Sequence, residues 1–126
     1  MPRYRTIKPE FWSNGQVVEC SPNARLLFLG LLNFCDDAGR HVFRPKQIKA
    51  EIFPADDFGP DDIRGMIDEL SSNRLLVVYQ HEDQEFMQVT GWHHQRIDNH
   101  VAGRYAVIGR TLDDFLGDGK AHFGVF

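Results

Sequence analysis

The 126 residues, 42% hydrophobic, 12% aromatic and 25% charged, have the balance of one folded domain and exclude a disordered or fibrous chain. A chain of this length buries roughly two-thirds of the surface it exposes when unfolded, enough for a core without disulfide or metal staples. The net charge of −4 is uneven, +3 over residues 1–55, −7 over 56–90 and zero over 91–126, which bears on partners rather than on fold.

The leader carries Arg3, Arg5 and Lys8 but no apolar stretch and no small-residue cleavage site, so it does not read as a secretory signal, and a cytoplasmic protein is expected. Pro9-Glu10-Phe11-Trp12 opens a short turn of helix, with Phe11, Trp12, Val17 and Val18 as its apolar contribution. Ser21-Pro22 is a helix start: the serine caps an orphan N–H, and proline at the first helical position gives up nothing it needed. The helix should run from Pro22 to about Cys35. Ala24, Leu27, Phe28, Leu31, Leu32 and Cys35 fall at helical spacing, while Leu26, Leu29 and Phe34 fill other faces, so it is expected to be buried on most sides. The run from Leu26 to Leu32 is far shorter than the ~20 residues that cross a bilayer. Cys20 and Cys35 form no CxxC pair and read as buried or half-buried thiols.

Asp36-Asp37-Ala38-Gly39-Arg40 is a turn, and His41-Val42-Phe43 is long enough only for a short strand. Pro45 to Phe53 reads as a second helix, with Ile48 and Ile52 inward and Lys46 and Lys49 sharing an outward face; Pro54 ends it. Pro60-Asp61-Asp62 puts proline and two acids at the positive end of a third helix, in which Ile63, Met66, Ile67 and Leu70 give i, i+3, i+4, i+7 up to about Asn73. Leu75 to Tyr79 and Phe86 to Trp92 form a hairpin across the polar stretch Gln80 to Glu85. Helix, short strand, helix, turn, helix, hairpin is the order of an α+β winged helix-turn-helix, its third helix the usual reading helix and its hairpin the wing. The expected division is a winged helix-turn-helix domain over 1–92 and a partly irregular C-terminal extension over 93–126. In that extension Thr111 to Leu116 reads as a capped turn, and the apolar end His122 to Phe126 as a surface that docks on the core or on a second copy.

The stretch Arg3-Tyr4-Arg5-Thr6-Ile7-Lys8-Pro9-Glu10-Phe11-Trp12, then Ser21-Pro22 with Ala24-Arg25-Leu26-Leu27-Phe28, and Asp36-Asp37-Ala38-Gly39-Arg40 form one set of motifs. Pro45-Lys46-Gln47-Ile48-Lys49-Ala50-Glu51-Ile52-Phe53-Pro54, Asp68-Glu69-Leu70 and His94-Gln95-Arg96-Ile97-Asp98 complete it. Together, over about residues 3–98, they resemble the N-terminal winged-helix domain of bacteriophage replication-initiator, or replisome-organizer, proteins. The resemblance implies a DNA-binding domain of phage origin acting in replication or its control.

Affinity for DNA comes chiefly from lysine and arginine on phosphates. The third helix instead presents Asp61, Asp62, Asp68 and Glu69 around a lone Arg64, and the hairpin adds Glu82, Asp83 and Glu85. Each carboxylate held against a phosphate costs on the order of 1 kcal/mol even in well-screened surroundings. Candidate DNA contacts are therefore Arg3, Arg5 and Lys8 in the leader, Arg40, Arg44, Lys46 and Lys49 around the second helix, with Arg64 and Arg96. Arg3 and Arg5 are candidates for an arm into a minor groove. The alternative reading is a protein-interaction module, an inhibitor or nucleic-acid mimic, whose acidic face of Asp61, Asp62, Asp68, Glu69, Glu82 and Asp83 engages a basic replication or host protein.

His93, His94 and His100 with Asp98 lack ligand geometry, since adjacent histidines on a strand point to opposite faces. No metal, cofactor or catalysis is expected from them. Trp12, Trp92, Phe28, Phe34 and Phe86 sit among apolar neighbours and read as core, and Gly65 in mid-helix suggests the close approach of another segment or subunit.

Overall fold

A computed structural model of the chain describes residues 2–92. The expected extension over 93–126 lies outside the described residues, and with it Arg96, the histidine group, the Thr111 to Leu116 turn and the apolar end.

The order is a 3-10 turn (Pro9–Ser13), then α1 (Gly15–Val18), α2 (Pro22–Phe34), β1 (Arg40–Val42), α3 (Pro45–Ile52), α4 (Pro60–Ser72), β2 (Leu76–His81) and β3 (Gln84–Val89). This is an α+β arrangement in which three longer helices and a short one accompany one antiparallel sheet of order β1-β3-β2. Arg40 stands opposite Gln88 in one ladder, and Leu76 opposite Val89 and His81 opposite Gln84 in the other.

Local chemistry sets the ends of these elements. The Ser21 hydroxyl accepts the Ala24 N–H at 3.3 Å, and the Glu69 carboxylate of α4 in turn takes the Ser21 N–H at 2.8 Å and its hydroxyl at 2.9 Å. One acidic side chain thus fixes the start of α2 against α4. Helix α1, which the sequence pattern does not predict, is nucleated by Asn14, whose side-chain oxygen accepts the N–H groups of Gln16 at 2.9 Å and Val17 at 3.2 Å. Asp62 reaches back to the Gly59 N–H at 2.8 Å and closes the start of α4. The far end of α4 is a Schellman turn, with Leu75 N–H on the Leu70 carbonyl at 2.9 Å and Arg74 N–H on Ser71 at 3.0 Å. Arg74 occupies its left-handed position at φ 61°, where glycine is usual.

The core lies between α2, α3, α4 and the sheet, and its largest fully buried side chains include Phe11, Phe28, Phe53, Leu31, Ile48 and Ile67. Helix α2 meets α3 at Gly30, where an added Cβ would lie 2.7 Å from Cγ2 of Ile52. Both cysteines are free and buried; burial pushes the Cys35 thiol far above its ordinary range and raises that of Cys20.

Three expectations need correction. Trp12 is not core: it is 59% exposed, with Val18 and Leu26 also on the surface, because only Phe11 of the turn inserts, stacking on Phe28 at 6.0 Å. The hairpin connection is two residues, not six. Its strands run to His81 and from Gln84, with Glu82 at φ 49° and Asp83 at φ 67°, the paired positive φ of a type I′ turn. No segment among the described residues approaches Gly65, since a Cβ there would meet nothing of them within 4 Å.

Candidate nucleic-acid interface

The leader is built into the fold and is no free arm. Arg3 exchanges hydrogen bonds with Asn33, its N–H on the Asn33 carbonyl at 3.0 Å and its carbonyl taking the Asn33 amide at 2.8 Å. These bonds lay the chain against the end of α2. The Arg5 side chain, only 3% exposed, turns inward there. Its Nε donates to the Leu32 carbonyl at 2.8 Å, and Nη2 to the carbonyls of Cys35 at 3.1 Å and Asp36 at 3.2 Å. One guanidinium thereby serves the last-turn carbonyl of Leu32, the C-cap carbonyl of Cys35 and the carbonyl of Asp36, which also accepts the Gly39 N–H at 3.0 Å.

Nη2 of Arg5 also lies 3.5 Å from Oδ1 of Asp37, which is 6% exposed, and Cζ stands 4.7 Å from the centroid of the Trp92 ring. Trp92 itself donates from Nε1 to the Asp37 carbonyl at 2.8 Å. Gly39 leaves the room, for a Cβ there would fall 2.6 Å from Cδ2 of Trp92. The Arg5 guanidinium is therefore a structural lock with no face left for a phosphate. Arg3, 55% exposed, places Nε 3.2 Å from Oδ1 of the same Asp37; the expectation of both arginines as a groove-entering arm is corrected by the burial of Arg5. Lys8, just before the 3-10 turn, is exposed.

The remaining basic candidates converge elsewhere. The Phe43 N–H donates to the Glu85 carbonyl at 2.8 Å and so holds the start of α3 against the first residues of β3. Arg44, exposed, donates from Nε at 3.2 Å and Nη2 at 2.8 Å to Oε1 of Gln84. The amide orients the guanidinium without neutralising it. Arg64 arrives from α4 at the next residue along, with Cζ 4.8 Å from the Phe43 ring centroid and Nη2 3.8 Å from Oε1 of Glu85. Helix α3 begins without a side-chain cap, and exposed Lys46 stands in its first turn.

Lys49 is half-buried, its amine 3.5 Å from the Pro54 carbonyl, so the shared outward face is partial. Arg40 is half-buried on β1, its Nε 3.4 Å from Oε1 of its cross-strand neighbour Gln88. Sequence reasoning missed Gln84, Gln88 and Phe43 as the groups that aim these cations. A two-residue reading of the hairpin turn places Gln84 at the start of β3 and is the signal that finds it.

The acidic candidates divide. Glu69 and Asp62 are committed to helix starts, as described above, whereas Asp61, Asp68, Glu82 and Asp83 are exposed. Among the described residues no group of three or more histidine, cysteine or acidic side chains could hold a metal ion. No helix among them is long and apolar enough to cross a membrane. No known protein family, curated protein or solved structure matches the chain.

Proposed function

We propose that the chain is a winged helix-turn-helix domain that binds DNA in replication or its control, and that it holds the phosphate backbone where the start of α3 meets β3. The order α2, β1, α3, α4, β2, β3, with β3 central in the sheet, is what a winged helix requires. The phage-replication context comes from the resemblance over residues 3–98.

One observation carries the placement. Arg44 is exposed, oriented by a neutral amide, and stands beside Lys46 at an uncapped helix start. Guanidinium and ammonium groups beside a helix start that lacks a side-chain cap are the donors that phosphate oxygens take. Lys49 and Arg64 flank that corner, whereas Arg5 of the leader is spent on the fold.

The test is the variant R44A/K46A/K49A, assayed by fluorescence anisotropy on a mixed-sequence duplex at about 50 mM salt. Its affinity should fall roughly tenfold or more, and by a similar factor on unrelated sequences, because phosphate contacts carry no sequence information. All three positions lie outside the core, so the far-ultraviolet circular dichroism spectrum should not change. Undiminished affinity in the folded variant would remove the contact from this corner.

A further inference from the structure

We infer that this surface takes nucleic-acid backbone without reading base sequence, an inference that rests on the function proposed above. Sequence is read at base edges by side chains that reach into a groove, above all arginine, lysine, asparagine and glutamine. Helix α4 occupies the place of the reading helix, and its outward groups do not supply them.

Over its first turns the exposed charged side chains are Asp61, Asp62, Arg64 and Asp68, with Gly65 between them. Asp62 is turned back on the Gly59 N–H. Gly65 presents no side chain, and nothing described stands over it. Asp61 and Asp68 bring negative charge to a groove walled by phosphates. Glu69 is occupied by both donors of Ser21.

Among the outward groups of α4, Arg64 alone has the chemistry to read guanine. It is folded away from the helix axis instead, across the Phe43 ring and toward Glu85, so Glu85 acts as the restraint that withholds it. The acidic turn Glu82-Asp83 gives the hairpin no cation at its tip. Among the described residues, what remains for a nucleic acid is the set at the start of α3, placed to hold backbone rather than to read bases.

Anisotropy titrations of the intact protein with three duplexes of equal length, A·T-rich, G·C-rich and mixed, at one salt concentration of about 50 mM, test this directly. Affinities within about fivefold of one another support the inference, because a single good bidentate base contact alone discriminates by at least about that factor. A wider spread overturns it and leaves the proposed function standing. Absence of binding to all three overturns the proposed function itself. Glu85→Gln provides the second arm: it frees Arg64 and removes one negative charge, so affinity should rise about twofold or more on at least the G·C-rich duplex. Unchanged or lower affinity in E85Q would remove Glu85 from its restraining role.

Discussion

Arg5→Ala should destabilise the domain by about 3–5 kcal/mol, the range for removing one partner of a buried charge pair. The magnitude follows from what the side chain leaves behind. Three carbonyls, of Leu32, Cys35 and Asp36, lose donors at 2.8–3.2 Å. The Asp37 carboxylate, 6% exposed, retains among the described residues only the surface-facing Arg3 as ion-pair partner, and the Trp92 ring loses the cation above it. Hydrogen bonds from a charged donor contribute about 1.5–3 kcal/mol each, so their simple sum exceeds the expected cost; relaxation and water entry recover part of it. Urea denaturation followed by circular dichroism measures the difference, with Arg5→Lys as control. Lysine keeps the charge but cannot span the carbonyls as a planar fork, and should recover less than half of the loss. A cost below about 1 kcal/mol for R5A would refute the lock and return Arg5 to the surface as a free cation.

Other positions give independent checks. Gly39→Ala forces a Cβ onto φ +78° and to within 2.6 Å of the Trp92 ring, and should cost about 2–4 kcal/mol by denaturation; a neutral effect would contradict that packing. Arg74→Gly should stabilise by roughly 0.5–1 kcal/mol, since the left-handed position that ends α4 suits glycine, and a loss of stability would mean that the arginine side chain matters more than its backbone. Glu69→Ala should cost about 1–3 kcal/mol, because the N–H and hydroxyl of Ser21 lose their acceptor. No cost would restore Glu69 to the outward acidic face. The raised thiols of Cys20 and Cys35 should keep both unreactive to iodoacetamide at about pH 8 until the domain unfolds, and rapid labelling of native Cys35 would contradict its burial.

Helix positions were legible in the sequence because their signals are local. Ser21-Pro22, Pro45, Pro60 and the spacing of Ile63, Met66, Ile67 and Leu70 depend only on capping chemistry and on a 3.6-residue period. The Asn14 cap that starts α1 is local too, but a four-residue helix shows no period. The hairpin turn was hidden because glutamate and aspartate replace the glycine or asparagine that usually announces paired positive φ.

The candidate site was legible in residue type and not in arrangement. Arg3, Arg5, Arg44 and Arg64 look alike along the chain, and what separates them is contact at long sequence separation. Arg5 meets groups 27–31 residues away, and Arg44 meets Gln84 at 40. Glu69 likewise belongs by spacing to an acidic helix face, yet its partner Ser21 lies 48 residues back. Helical periodicity separates faces but carries no record of which distant donor a carboxylate meets.

The most direct test of where the molecule meets DNA is a titration of isotopically labelled protein with a mixed-sequence duplex, following the backbone amides by nuclear magnetic resonance. The account predicts that shift changes gather at Arg44, Lys46 and Gln47 and at Gln84 and Glu85, with Arg64 beside them, while Arg5 and the outward acids Asp61 and Asp68 of α4 stay in place. Changes concentrated on Asp61 and Asp68, with the start of α3 unmoved, would contradict it.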